Sequence, residues 1–527
     1  MVENGLHFLD FLFVVVFLGI MIGMGVYFAR KSKTKDSYYL GNKAIPAWAI
    51  GLSILATLIS SVTYLAYPGE GFDSNWIRLV QGLMVPIVLV SIIWIIVPLY
   101  RKVIGVSTYE FFEKRFGYLA RVYGSLAFLF AHFSKMGTVF YLISLALATM
   151  LGVNIYLIIW ILGVSVIVYT LVGGIEGVIW SDVLQGGLLV IGGLFTVVIL
   201  LFGTRVGPAG IMQTAFASGK IDFGPYNWGF VKLTFWVMAI NGIFYALQKY
   251  GTDQTIVQRY LSARTDKEGV RASLIGVLMS AGVWTLFMFI GTLLWSYYHV
   301  SADQLPDGIR PDAVFPHFIM TELPPGVAGI ILAGLIGAAL SSLDSDLNSL
   351  SAVVVEDYYI RLKQYTTDRG QLILGRLVVL ITGLISLGIA SWYVTAGEET
   401  ALSIVFTLYA IFSGGIAGLF LLGVFTTHAN RKGVYTGIIA CILFSAYGVL
   451  TSTHVTIGGE ARLLLDLGKY NYPHHQYMLG VYSHIVLFVV AYIASYFFSQ
   501  EKNIYDLTYY EYRDRRRERK AREKTND

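Results

Sequence analysis

The chain has 527 residues, 56% of them hydrophobic and only 13% charged, with a mean hydropathy of +0.65; a globular chain carries about 25% charged residues, so a water-soluble enzyme is excluded. Apolar runs of about 18 residues or more recur from end to end and make the chain one polytopic membrane domain. The net charge of +5 is unevenly spread, which bears on membrane orientation and not on nucleic-acid binding, and the single cysteine, Cys441, offers neither a disulfide framework nor a cysteine metal cluster.

Hydropathy predicts about thirteen helices in an all-α membrane protein. The first, over 8–29, follows Met1-Val2-Glu3-Asn4 and is followed by Arg30-Lys31-Ser32-Lys33-Thr34-Lys35. A cleaved secretory signal has the opposite polarity, so this reads as a retained helix with its N-terminus outside. The second, over 47–66, is interrupted by Ala56-Thr57-Leu58-Ile59-Ser60-Ser61-Val62-Thr63-Tyr64 and then by Pro68-Gly69. Four hydroxylated residues beside a Pro-Gly let a helix break, freeing carbonyls for a cation and N–H groups for an anion. Serines and threonines that pack helices together are the plainer alternative. Beyond 77–99, the fourth helix, over 122–150, holds Lys135 near its middle. Snorkelling is difficult from there, so an internal carboxylate or an acidic solute is implied.

The next two helices, over 155–172 and 183–203, flank Thr170-Leu171-Val172-Gly173-Gly174-Ile175-Glu176-Gly177-Val178-Ile179-Trp180-Ser181-Asp182. Its glycines predict a tight cytoplasmic turn, with Asp182 either capping the following helix or reaching inward to a cation. After 233–250 and 273–299, the helix over 326–352 carries the densest polar cluster, Ala338 to Ser349. There Ser341, Asp344, Ser345 and Asn348 fall at i, i+3, i+4 and i+7, an oxygen-rich stripe suited to a small hard cation or a proton. Serines satisfied by carbonyls one turn back are the alternative. Helices over 373–395, 401–425, 434–452 and 476–498 follow, and then a basic tail over 499–527. An odd helix number places the C-terminus in the cytoplasm. The basic residues agree, with Arg101-Lys102, Arg259, Arg264, Arg361, Arg431-Lys432 and Arg513 to Arg517 on the inner side.

Four motifs carry a resemblance: Tyr38-Tyr39-Leu40-Gly41-Asn42-Lys43 before Pro46-Ala47-Trp48-Ala49, Gly173 to Gly186, Asp253-Gln254-Thr255-Ile256-Val257-Gln258-Arg259-Tyr260, and Ser341-Ser342 through Leu347-Asn348-Ser349. In this order they resemble the sodium:solute symporter family over approximately residues 6–498, with loop wording nearest its sialic acid branch. The resemblance implies a core of two five-helix inverted repeats over 47–425, an extra helix and loop over 1–46, two helices over 426–498, and the cytoplasmic tail. It implies a main sodium site at Ala56, Ile59, Ala338, Ser341 and Ser342. It implies a second site, found in some members, at Asp182, Ser341, Asp344 and Ser345, where the sialic acid branch has a serine in place of Asp344. Ser60 and Thr63 match positions that hold a carboxylate, and Lys135 stands where that branch has an arginine. Gln81, Phe244, Gln248 and Lys249 are candidate pocket neighbours.

The function expected is import of a small organic solute across the cell (inner) membrane by alternating access, with one or two sodium ions as coupling ions and no organic cofactor. The solute is expected to be an acidic sugar or other carboxylated compound; a neutral monosaccharide or polyol is the alternative. Its partners are then the solute, sodium and the lipid bilayer, with no nucleic acid and no obligate protein partner. A membrane-bound enzyme is the rival from another class, but His132, His299, His317, His474 and His475 make no cluster with a carboxylate at catalytic spacing. A passive channel would need a repeated charged ring, which the sequence lacks.

Overall fold

The computed structural model describes residues 7–300, 305–363, 365–396, 414–457, 460–499, 507–510 and 513–514. The long helices follow the apolar runs. They are α1 (Phe8–Ala29), α2 (Ala47–Leu58), α3 (Ser61–Asp73), α4 (Leu79–Val103), the short α5 (Tyr109–Phe116), α6 (Tyr118–Leu151) and α7 (Ile155–Phe202). They continue as α8 (Phe235–Gly251), α9 (Gln254–Leu261), α10 (Asp266–Val300), α11 (Val327–Val353), α12 (Asp368–Ala396), α13 (Ile416–Phe425), α14 (Arg431–Leu450) and α15 (Gln476–Ala494). Among the described residues nine helices are long and apolar enough to cross a bilayer, or ten when the bent α2–α3 pair is one span.

The core of the bundle is α11. Its most apolar stretch is 89% buried, against 22% for α1, so α11 lies among helices while α1 presents itself to lipid. Helices α1, α2, α6, α7 and α12 all pack on α11. Asp10 of α1 ties the two together, its carboxylate accepting the Gly326 and Gly329 N–H groups at 2.8 and 2.7 Å and so capping α11.

Two features depart from the expected chain path. The stretch 170–182 is no turn: α7 runs through it, 48 residues long, and is kinked at Gly174 (φ 59°, ψ −164°). At about 1.5 Å per residue it would reach about 72 Å, twice a membrane, so the kink divides it into two crossings. Ser32 and Tyr38 donate to the Gly173 and Leu171 carbonyls that the kink releases. The helix after the kink therefore begins at Ile175, and Asp182 lies two turns inside it instead of capping it.

The second departure is that the span over 233–250 belongs to a broken pair. Helix α8 stops at Gly251 and α9 restarts at Gln254, with Thr252 and Asp253 off helical geometry and Asp253 accepting the Thr255 N–H. Among the described residues two helices are thus broken, α2–α3 and α8–α9, a feature of inverted-repeat transporters. Helices α3 and α10 pass backbone to backbone on Gly71 and Gly291, where an added Cβ would lie 2.2 Å from the Met288 carbonyl and 2.1 Å from that of Pro68. The pair α14–α15 packs beside α8 and α13 and is linked by an antiparallel hairpin, β1 (His454–Ile457) with β2 (Glu460–Leu463). Of the helix expected over 401–425 the structure describes the part from Ile416, and residues 401–413 and most of the tail lie outside the described residues.

Candidate functional site

The break between α2 and α3 is where the site begins. Ile59 (φ −91°, ψ 116°) and Ser60 (φ −113°, ψ 174°) are extended, and α3 leaves the α2 axis at 60°. A helix that stops this way strands its last carbonyls inside the membrane, where each needs a partner. Helix α11 supplies two. Ser341 Oγ donates to the Ala56 carbonyl at 2.9 Å and lies 3.2 Å from that of Ala338, and Ser342 Oγ donates to the Thr57 carbonyl at 3.4 Å. All five of these residues are at most 2% exposed, and Ile59 is fully buried at the break beside them. Of the five residues expected at the main sodium site, Ala56, Ala338 and Ser341 are thus in contact, Ser342 meets the Thr57 carbonyl, which the sequence alone did not single out, and Ile59 is the extended residue two positions on. Neutral carbonyl and hydroxyl oxygens of this kind fit a hard monovalent cation.

One turn along α11 the charged groups gather. Asp182, Arg259, Asp344 and Ser345 are all fully buried. The Arg259 guanidinium lies 2.8 Å from Asp182 Oδ2 and also donates to Ser345 Oγ and, at 2.7 Å, to Ser53 Oγ. Asp344 accepts from Tyr169 at 2.8 Å and Ser181 at 3.3 Å, with Ser345 Oγ 3.2 Å from its other oxygen. Arg259 is therefore a core residue and no loop charge, which corrects its place among the topology determinants. It occupies one oxygen of Asp182, while Asp182 Oδ1 has no hydrogen-bond partner. Two carboxylates against one guanidinium leave one negative charge, enough to fit one further cation. Asn348, on the same stripe, is engaged by Gln258 Nε2 of α9 at 2.8 Å.

On the other side of the break lies a cavity of about 370 Å³, lined by Ser60, Ser134, Lys135, Thr138, Tyr245, Gln248 and Lys249, among others. It extends toward the end of the bundle where α5 and the α8–α9 break lie, reaching Tyr109, His132, Thr252 and Asp253. Of the residues expected around the solute, Ser60, Lys135, Gln248 and Lys249 line it. Among the described residues Thr63, Gln81 and Phe244 do not. Thr63 is buried in the first turn of α3. Gln81 has its backbone pressed against Gly242, and the Phe244 ring is drawn to α15 by stacking on His484, centroids 5.3 Å apart.

The cavity wall carries an ion-pair chain absent from the sequence expectations. Lys135 lies 3.1 Å from both oxygens of Asp346. His132 bridges Asp346 and Asp253, Nδ1 to Oδ1 at 2.7 Å and Nε2 to Oδ2 at 3.2 Å, and Lys249 pairs with Asp253 at 2.6 Å. Lys135 thus has an internal carboxylate and also faces the cavity, its side chain 30% exposed against 0% for Asp346. The i, i+3 spacing of His132 and Lys135, and the Gly251-Thr252-Asp253 run that ends one helix and caps the next, were the available signals.

A family model described as the sodium:solute symporter family matches residues 38–441. The sodium/sialic acid symporter NanT of Aliivibrio fischeri is 31% identical over 468 residues, covering 86% of this chain and 92% of its own length. SiaT of Proteus mirabilis, named a sodium/sialic acid symporter, is 32% identical over 468 residues, covering 86% and 94%. Among solved structures, a substrate-bound outward-open state of a Na⁺-coupled sialic acid symporter superposes with a TM-score of 0.85 at 29% identity, over 94% of this chain and 99% of that one.

Proposed function

The chain belongs to the sodium:solute symporter family, and from that premise we propose that it imports an acidic sugar or similar monocarboxylated solute together with sodium. The sodium:solute symporters are carriers and not enzymes. The observation that carries the coupling is the α2–α3 break. It offers the Ala56, Thr57 and Ile59 carbonyls to a cation held with Ala338, Ser341 and Ser342, and on its other side it presents Ser60 to the cavity. A cation that orders the break also orders the solute wall, so each ligand favours the conformation the other needs.

What supports an anionic cargo is the charge on that wall. Each ring nitrogen of His132 faces a carboxyl oxygen, and two ionised carboxylates, acceptors only, favour the imidazolium, which donates to both. Three cations, Lys135, His132 and Lys249, then meet two anions, Asp346 and Asp253, leaving one positive charge, with Lys135 the most exposed of the five. Ser60, Gln248 and Tyr245 add hydrogen-bonding groups suited to hydroxylated solutes. The net negative charge of the Asp182–Arg259–Asp344 group supports a second cation, sodium or a proton, beside the first. The core over 47–425 carries transport, 1–46 and 426–498 frame it, and 499–527 faces the cytoplasm, with the N-terminus outside. The test is uptake of labelled sialic acid, glucuronic acid and glucose into proteoliposomes with and without a sodium gradient. Uptake of the acids is expected only with sodium; sodium-independent uptake, or glucose as the sole substrate, overturns the reading.

A further inference from the structure

We infer that Asp346 and His132 set the affinity of the cavity for carboxylated solutes: Asp346 is the counter-ion that an incoming carboxylate displaces from Lys135, and His132 is the group that takes up the charge of Asp346 when this happens. The inference rests on the reading of the cargo as acidic. Asp346 Oδ1 is shared, 2.7 Å from His132 Nδ1 and 3.1 Å from Lys135 Nζ. A buried carboxylate that loses one of two cationic partners keeps the other, so Lys135 can turn to the solute without leaving Asp346 bare. The geometry permits this turn. Asp346 is fully buried and His132 almost so, fixed between Asp346 of α11, Asp253 at the head of α9 and the Phe128 ring 4.1 Å away, whereas Lys135 opens to the cavity. Asp346 is then a positioning residue: it holds Lys135 in place while the cavity is empty and competes with the solute for it.

The proton on His132 decides the balance. The charged and titratable groups around the ring are Asp346, Asp253, Lys135 on its own helix and Lys249 at the end of α8, with Tyr109 of α5 on the same wall. Asp182 and Asp344 belong to the separate group held by Arg259, Ser181 and Tyr169. With His132 charged the chain of pairs carries one net positive charge, and with His132 neutral it carries none. Acid binding therefore weakens as pH rises through the range in which His132 loses its proton.

The experiment is equilibrium binding of sialic acid, glucuronic acid and glucose to the full-length protein in nanodiscs, at saturating sodium, from about pH 6 to about pH 8. In the wild type the dissociation constant for the acids is expected to rise with pH while that for glucose stays flat. Asp346→Asn releases Lys135 and is expected to tighten acid binding by about fivefold with glucose unmoved. His132→Asn leaves Asp346 to Lys135 alone and is expected to weaken acid binding by a similar factor and to flatten its pH profile. A merely structural role would weaken all ligands in both variants. Loss of acid binding in Asp346→Asn, or a His132→Asn profile that still tracks pH, overturns the inference while leaving the cargo reading intact. A wild type that binds neither acid at any pH overturns both. Should Asp346→Asn fail to fold, the wild-type pH profile and His132→Asn decide, and a flat wild-type profile ends the proposal.

Discussion

At the scale of single residues the site divides into oxygens that only need to be near and charges that must be balanced. Ser342 is of the first kind: its hydroxyl meets the Thr57 carbonyl in a wholly buried place, and Ser342→Ala removes one proposed cation ligand without leaving a charge unpaired. The half-saturating sodium concentration for uptake is expected to rise about tenfold, the equivalent of about 1.4 kcal/mol, with normal yield of folded protein; an unchanged value removes Ser342 from the sodium site. Arg259 is of the second kind. Arg259→Gln leaves Asp182 and Asp344 buried with no cationic partner, at a cost of about 3–5 kcal/mol, and the yield of monodisperse protein should collapse. Adding Asp182→Asn should restore much of that yield, and a double variant no better than the single would show that the pair does not act as one unit. These charges explain where reading by residue type stopped. The neutral oxygens proposed for sodium were legible because hydroxyls in an apolar run are conspicuous. Arg259 was not, because its position looks like any inner-loop basic residue until the fold buries it.

At the scale of elements, helices were legible and their interruptions only half so. The α2–α3 break announces itself through hydroxylated residues and Pro68-Gly69. The α8–α9 break is marked only by Gly251-Thr252-Asp253, and hydropathy falls there as it would at any span end. The kink of α7 shows the reverse error: its glycines resemble a turn, yet only Gly174 leaves helical geometry, since Ser32 and Tyr38 satisfy the released carbonyls. Gly174 holds φ 59° and ψ −164°, and an added Cβ would lie 2.9 Å from Tyr38 atoms. Gly174→Val is therefore expected to lower the thermal midpoint by several degrees and to reduce uptake, the backbone term alone costing about 1–3 kcal/mol; an unaltered melting curve would show that the kink relaxes freely. The α1–α11 tie gives a contrasting case. Asp10→Ala deletes the acceptor of two α11 N–H groups and should cost about 1–2 kcal/mol in stability, with half-saturation for sodium unchanged because the cap lies at the other end of α11 from Asp344 and Asp346. A shift in sodium affinity would place α1 in the transport cycle.

At the scale of the whole molecule, charge is what crosses the membrane. One sodium with one monocarboxylate moves no net charge. The second cation proposed beside Asp344 would make the cycle electrogenic by one charge, worth about 2.3 kcal/mol per 100 mV. Asp344→Asn leaves Arg259 and Asp182 as a neutral pair, so the charge carried per labelled solute should fall from one toward zero while uptake persists. An unaltered ratio would take Asp344 out of ion coupling. The α2–α3 break has a last consequence, for the carrier travelling empty. Ser341 and Ser342 donate to the Ala56 and Thr57 carbonyls, so once the ion has left, hydroxyl protons can satisfy these two oxygens for the return stroke. The serines can thus spare these two carbonyls a bare state in the unloaded protein as the ion does in the loaded one. A lone solute without its ion finds Ser60 still tethered to an idle hinge, and a carrier built this way leaks little, because its two comfortable states are the two that do not dissipate the gradient.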